Sequence, residues 1–169
     1  MYKKTILILF IILLSACSSI IDKKTLKLPT NKSYAISSFW NYTETPMAGL
    51  RASSIVESVL AKEQIKLNSL IGDSSEMEKI KSKQSFLTNK KSEARAFGAN
   101  YLITGDVQEW RYKTGIDGEP VVSYSIKVID LGNDRVIYSS IGAKSGWGHK
   151  SIGVVAQEIA RELIPNFVP

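Results

Sequence analysis

Three β-rich runs, Asn100–Tyr112, Val121–Leu131 and Arg135–Lys144, follow one another with only short connections between them, and this leaves few folds open. Gly115, Asp117, Gly118 and Pro120 punctuate the first connection, and Gly132-Asn133-Asp134 suits a tight hairpin at the second. Strands joined so closely run antiparallel, because a parallel return needs a crossover of roughly a dozen residues. The result is a meander whose apolar face must be covered, and helices are the available cover.

Those helices are visible as periodicity. Ala52, Ile55, Val56, Val59 and Leu60 fall on one face of a first helix, with Thr45 placed to cap it and Pro46 in its first turn. Gln84 to Phe97 reads as a second helix, ended by Gly98 where a left-handed residue closes the last turn. Residues 150–164 form a third, with Ile152, Val155, Ala156, Ile159, Ala160 and Leu163 on one side and Pro165 as the stop. Short strands are expected at Tyr34–Phe39 and Ile65–Leu67. The fold class is therefore α/β: a mixed sheet in the order β-α-β-α-β-β-β-α, helices packed on it, and an antiparallel C-terminal meander.

The N-terminus carries a different signal. Lys3-Lys4 precede an unbroken apolar run, Ile6 to Leu14, of the length of a signal-peptide core. Leu14-Ser15-Ala16-Cys17 resembles the lipobox of bacterial lipoproteins, in which the cysteine sulfur takes a diacylglyceryl group after export. An uncleaved membrane span needs about 20 predominantly apolar residues, and here Ser15, Ser18, Ser19 and Asp22 interrupt the stretch. We expect a signal peptide at 1–16, lipidated Cys17 with a tether to residue 32, and one periplasmic α/β domain over 33–169. Ser18 stands where lipoproteins retained at the inner membrane often carry Asp, which implies an outer-membrane destination.

Composition bounds the chemistry. At 44% hydrophobic and 22% charged, the chain has the balance of a globular protein. Its net charge of +6 includes Lys3 and Lys4, leaving about +4 after the leader. Lys79, Lys81, Lys83, Lys90 and Lys91 read as a solvated helix and loop surface, without the interleaved aromatics that nucleic-acid binding requires. One Cys and one His support neither a disulfide nor a metal cluster, and no resident cofactor is expected beyond the lipid. His149 sits at a helix start, no G-x-S-x-G elbow or phosphate-binding loop occurs, and the carboxylates of the meander suit strand edges and turns. An enzyme is not expected. Trp147, between Gly146 and Gly148, is either local packing or an aromatic aimed at the membrane–water boundary.

Several strings together resemble the PelC family, lipoproteins of Pel exopolysaccharide secretion. They are Glu44-Thr45-Pro46-Met47-Ala48-Gly49-Leu50-Arg51-Ala52, Gly98-Ala99-Asn100-Tyr101, Gln108-Glu109-Trp110-Arg111-Tyr112-Lys113 running into Gly115-Ile116-Asp117-Gly118-Glu119-Pro120, Val128-Ile129-Asp130-Leu131 and Ser145-Gly146-Trp147. The resemblance implies a homo-oligomeric ring on the periplasmic face of the outer membrane, aligned with the β-barrel porin PelB. It implies Trp147 facing the membrane and Asp117, Glu119 and Asp130 as candidates for an acidic funnel. The exopolysaccharide chain passing through is anionic or partly cationic, with a cationic one favoured. The rival expectation is an LpoB-like lipoprotein that activates a cell-wall synthase. A pore that builds its own barrel is excluded, because the strands are joined by short turns rather than long amphipathic hairpins.

Overall fold

The computed structural model describes residues 19–21, 27–63, 65–73, 82–114, 118–147 and 150–164. In chain order the elements are β1 (Ser19–Ile21), β2 (Ser33–Ser37), β3 (Trp40–Asn41), α1 (Ala48–Leu60), β4 (Lys66–Leu70), α2 (Lys83–Ala96), β5 (Tyr101–Tyr112), β6 (Pro120–Asp130), β7 (Arg135–Ser145) and α3 (Ile152–Leu163). They build one open seven-stranded sheet in the order β1-β7-β6-β5-β2-β4, with β3 also paired to β5. Strands β5, β6 and β7 form the antiparallel meander, and β2 runs parallel to both β4 and β5. The α/β class and the antiparallel C-terminal strands are as the sequence implies.

Alternation along the strands divides the core between two faces. Ile103, Val107, Tyr124, Ile126 and Val128 meet α1 and α3 on one face. Leu102 and Ile129, next in sequence to two of these, meet α2 on the other with Ala94 and Leu131. On α3, Val155, Ala156, Ile159, Ala160 and Leu163 are all buried, which follows the apolar periodicity of that helix. Full burial of one large aliphatic side chain is worth roughly 1.5–3 kcal/mol, so this stripe suffices to hold α3 on the sheet. Gly98 has φ +71 and its N–H donates to the Arg95 carbonyl, ending α2 as its position implies.

Some details differ from expectation. The first strand ends at Ser37, and pairing resumes at β3 beside Asp106 and Val107. Thr45 does not cap α1: its hydroxyl donates to the Trp110 carbonyl, and Met47 occupies the cap position at φ 58 with no side-chain cap bond. The stretch read as a tether contributes β1, antiparallel on β7, and buries Leu28 in the larger core. A one-residue register shift between Val107 and Glu109 turns Trp110 inward, where it is 2% exposed.

Candidate functional site

The described candidate residues fall at the two ends of the sheet. Tyr112 on β5 pairs with Pro120 on β6, and the intervening connection is held by Lys113, whose N–H donates to the Glu119 carbonyl at 2.8 Å. Beside it, the Gly146 N–H donates to the Pro120 carbonyl at 2.8 Å, so the β7–α3 connection lies against the β5–β6 connection. A Cβ on Gly146 would meet the Pro120 ring at 2.6 Å and Val155 at 2.9 Å. Only glycine fits, and it pins the backbone just before Trp147. The indole itself is 72% exposed. An indole so exposed is not part of the subunit core.

The edge strand β1 reaches the same end. Its register places Ser19 opposite Lys144 and Ile21 opposite Gly142, so the first residue of β1 is the one toward the Trp147 end. Cys17 lies outside the described residues. It precedes Ser19 by two positions in the sequence.

The acidic candidates do not converge. Glu119 is paired with Lys113 at 2.8 Å at the Trp147 end. Asp130 closes the opposite end of β6, opposite Tyr101 and Arg135, about 34 Å away by strand rise over ten residues. Its carboxylate accepts from the Gly132 N–H at 2.8 Å and the Asn133 amide at 3.2 Å, so both oxygens shape the β6–β7 turn. Asp117 and His149 lie outside the described residues.

One charged cluster was missed by the sequence reading. Asp106 on β5 is 4% exposed and ion-paired through both oxygens, to Lys83 on α2 and Lys127 on β6. Burial pushes its carboxyl upward, but hydrogen bonds and charge from Lys127 and Lys83 outweigh this and hold it below the ordinary value. Lys83 is also 5.2 Å from the centre of the Tyr42 ring. Lys90, 3% exposed, pairs with Glu93, and Lys91 pairs with Asp134, both at 3.0 Å. Within the described residues Lys83 and Lys91 therefore tie α2 to β5 and to the β6–β7 turn, and Lys90 pairs within the helix, so this is not a purely solvated face. Only the spacing of Lys83, Lys90 and Lys91 on one helix hinted at this; the partners of Lys83 and Lys91 are distant in sequence, whereas Glu93 stands three residues after Lys90. Among the described residues no three His, Cys, Asp or Glu side chains gather into a metal site, and no helix is long and apolar enough to cross a membrane.

No protein-family model and no curated protein matches the chain. Solved structures do. The PelC dodecamer from Paraburkholderia phytofirmans superposes with a TM-score of 0.73 and 30% identity, over 89% of this chain and 98% of that one. A point variant of that dodecamer in another crystal form gives 0.68 and 33%, over 86% and 94%. The lipoprotein GNA1162 from Neisseria meningitidis, at 0.57 and 14% identity over 80% of this chain and 99% of that one, shares the fold alone. With its E-W-R-Y-K string leading into β6, its exposed Trp147 and 30% identity across almost the whole of a PelC subunit, this chain belongs to the PelC family.

Proposed function

We propose that the protein is an outer-membrane lipoprotein of Pel exopolysaccharide export, not an enzyme, that assembles into a homo-oligomeric ring on the periplasmic face and guides a cationic polysaccharide to a PelB-like porin. The observation that carries this reading is the convergence of the β1 N-terminus, exposed Trp147 and the Glu119 connection at one end of the sheet in a chain of the PelC family. Acylated Cys17 and Trp147 then act on the same surface: the acyl chains hold the subunit to the bilayer, and the indole sits at headgroup depth and fixes its tilt.

A ring multiplies each carboxylate by the subunit number, turning a weak monomer site into a strong field for a polycation. In this reading Glu119 stands at the membrane end of the path and Asp130 at the end that first meets the polysaccharide, with Asp117 a further candidate for the acidic lining. The mild positive charge of the whole chain requires those acidic positions to be segregated toward the axis. The relatives from Paraburkholderia phytofirmans are dodecamers, which supports a ring.

Complementation tests the proposal. In a Pel-producing strain lacking its own PelC, the full chain restores surface polysaccharide and biofilm, and Cys17→Ala does not. Failure of the full chain to restore export, together with stimulation of a cell-wall synthase by the purified protein, would transfer it to the synthase-activator class.

A further inference from the structure

The membrane end of the sheet carries more apolar surface than Trp147 alone. Of the large exposed apolar side chains, Met47, Tyr112, Trp147 and Val154 belong to this end, Phe97 and Val136 lie at the other, and Tyr42 and Ile141 sit along the strands between them. Large apolar surfaces left in water mark contacts with a partner or a membrane. Between the start of α1 and the start of α3 the surface opens into a groove of about 1010 Å3, floored by the end of β5. Its walls are Leu50 and Ile55 of α1, Ile152 of α3, and Trp110 and Tyr112 of β5, with Met47 at the rim.

Arg51 lines the same groove and is exposed. It differs from the other cations nearby. Arg111 is paired with Glu109, Lys113 with Glu119 and Lys150 with Glu158, while Arg51 has no ion pair among the described residues. A guanidinium over an apolar groove matches an amphiphile with an alkyl chain and a phosphate head: the alkyl part displaces water from the walls, and the planar fork of donors takes the phosphate oxygens.

We propose that this groove binds the acyl chain of a bilayer phospholipid, with Arg51 on the lipid phosphate, as a second membrane contact beside the Cys17 anchor. The proposal rests on the membrane-facing reading of Trp147 and extends it. What selects a lipid as occupant is where β1 begins: Ser19, two positions after Cys17, stands at this end of the sheet, so under the proposed acylation the groove is held at the bilayer whatever the ring's subunit number.

The chain has three tryptophans, one of them in the groove wall, which makes the test direct. The mature lipidated protein is reconstituted into phosphatidylethanolamine and phosphatidylglycerol vesicles, with and without bromine on the acyl chains. In Trp40→Phe/Trp147→Phe, Trp110 is the sole reporter, and its emission is lost on brominated lipid. Adding Leu50→Asp restores that emission, and adding Arg51→Glu weakens the quenching. In Trp40→Phe/Trp110→Phe, the sole reporter is Trp147. Quenching of Trp147 with Trp110 untouched overturns the groove and leaves the membrane-facing reading standing. Quenching of neither overturns both. Protection of the groove from hydrogen exchange on oligomerisation without lipid, with Trp110 unquenched, assigns it to a second copy of the chain and also overturns the proposal.

Discussion

Truncating Trp147 to alanine, with Trp110→Ala as its counterpart, separates a membrane-facing indole from a structural one. Trp147 is 72% exposed, so about 70 Å2 of a side chain that offers roughly 250 Å2 remains covered. At about 25 cal/mol per Å2 its loss costs at most ~2 kcal/mol, and less once a compact unfolded chain is allowed for. Trp110, 2% exposed among the residues of the larger core, costs about 3–5 kcal/mol on truncation. Urea unfolding of both variants measures the difference, and surface polysaccharide in the complemented strain measures function. Trp147→Ala is expected to lower the midpoint much less than Trp110→Ala and to reduce export. Trp110→Ala lowers the midpoint strongly, with export falling in proportion to the folded protein lost. A Trp147→Ala variant as unstable as Trp110→Ala, or fully stable with normal export, would refute the reasoning.

Asp106→Asn leaves Lys83 and Lys127 without their shared partner; breaking a buried pair costs about 3–5 kcal/mol, reduced here to about 2 because both lysines are roughly a third exposed. Because the folded carboxyl is held below its unfolded value, Asp106 stabilises the fold above about pH 4, and that contribution is lost as pH falls through the folded pKa. Acid unfolding of the unsubstituted protein should therefore be steeper below about pH 4 than that of Asp106→Asn, and identical slopes would remove the carboxylate from the account. Glu119→Lys breaks an exposed pair worth about 1 kcal/mol or less and should impair export more than it lowers the melting temperature, as should Asp117→Lys. Cys17→Ala should abolish labelling by a palmitate analogue, and full labelling of that variant would refute the lipobox reading.

The sequence disclosed most of the sheet because its signals were local. The turn residues around Gly118 and Gly132 and the alternation of β5 to β7 report the meander, and the stripe from Ile152 to Leu163 reports α3. What stayed hidden depends on partners remote in sequence. β1 is three residues long and exists because β7 offers an open edge. Thr45 carries every mark of a helix cap, yet the Trp110 carbonyl, 65 residues on, takes its hydroxyl. The Asp106 cluster joins α2, β5 and β6, and no spacing within one element announces it. Trp147 was visible as an unusual aromatic between glycines; its exposure became clear only with Pro120 and Val155 packed where a Gly146 side chain would have been. Glu119 and Asp130 look alike in sequence, and strand length separates them to opposite ends of β6.

The oligomeric state of the mature lipidated chain tests the central claim most directly. Size-exclusion chromatography with light scattering in mild detergent, corrected for bound detergent, should give one species of many protomers, with a mass that does not change on dilution. The PelC relatives are dodecamers, and a closed ring of fixed subunit number is the form the proposal expects here. A single-protomer mass at every concentration would contradict the ring, and with it the multiplied acidic field on which polysaccharide guidance depends.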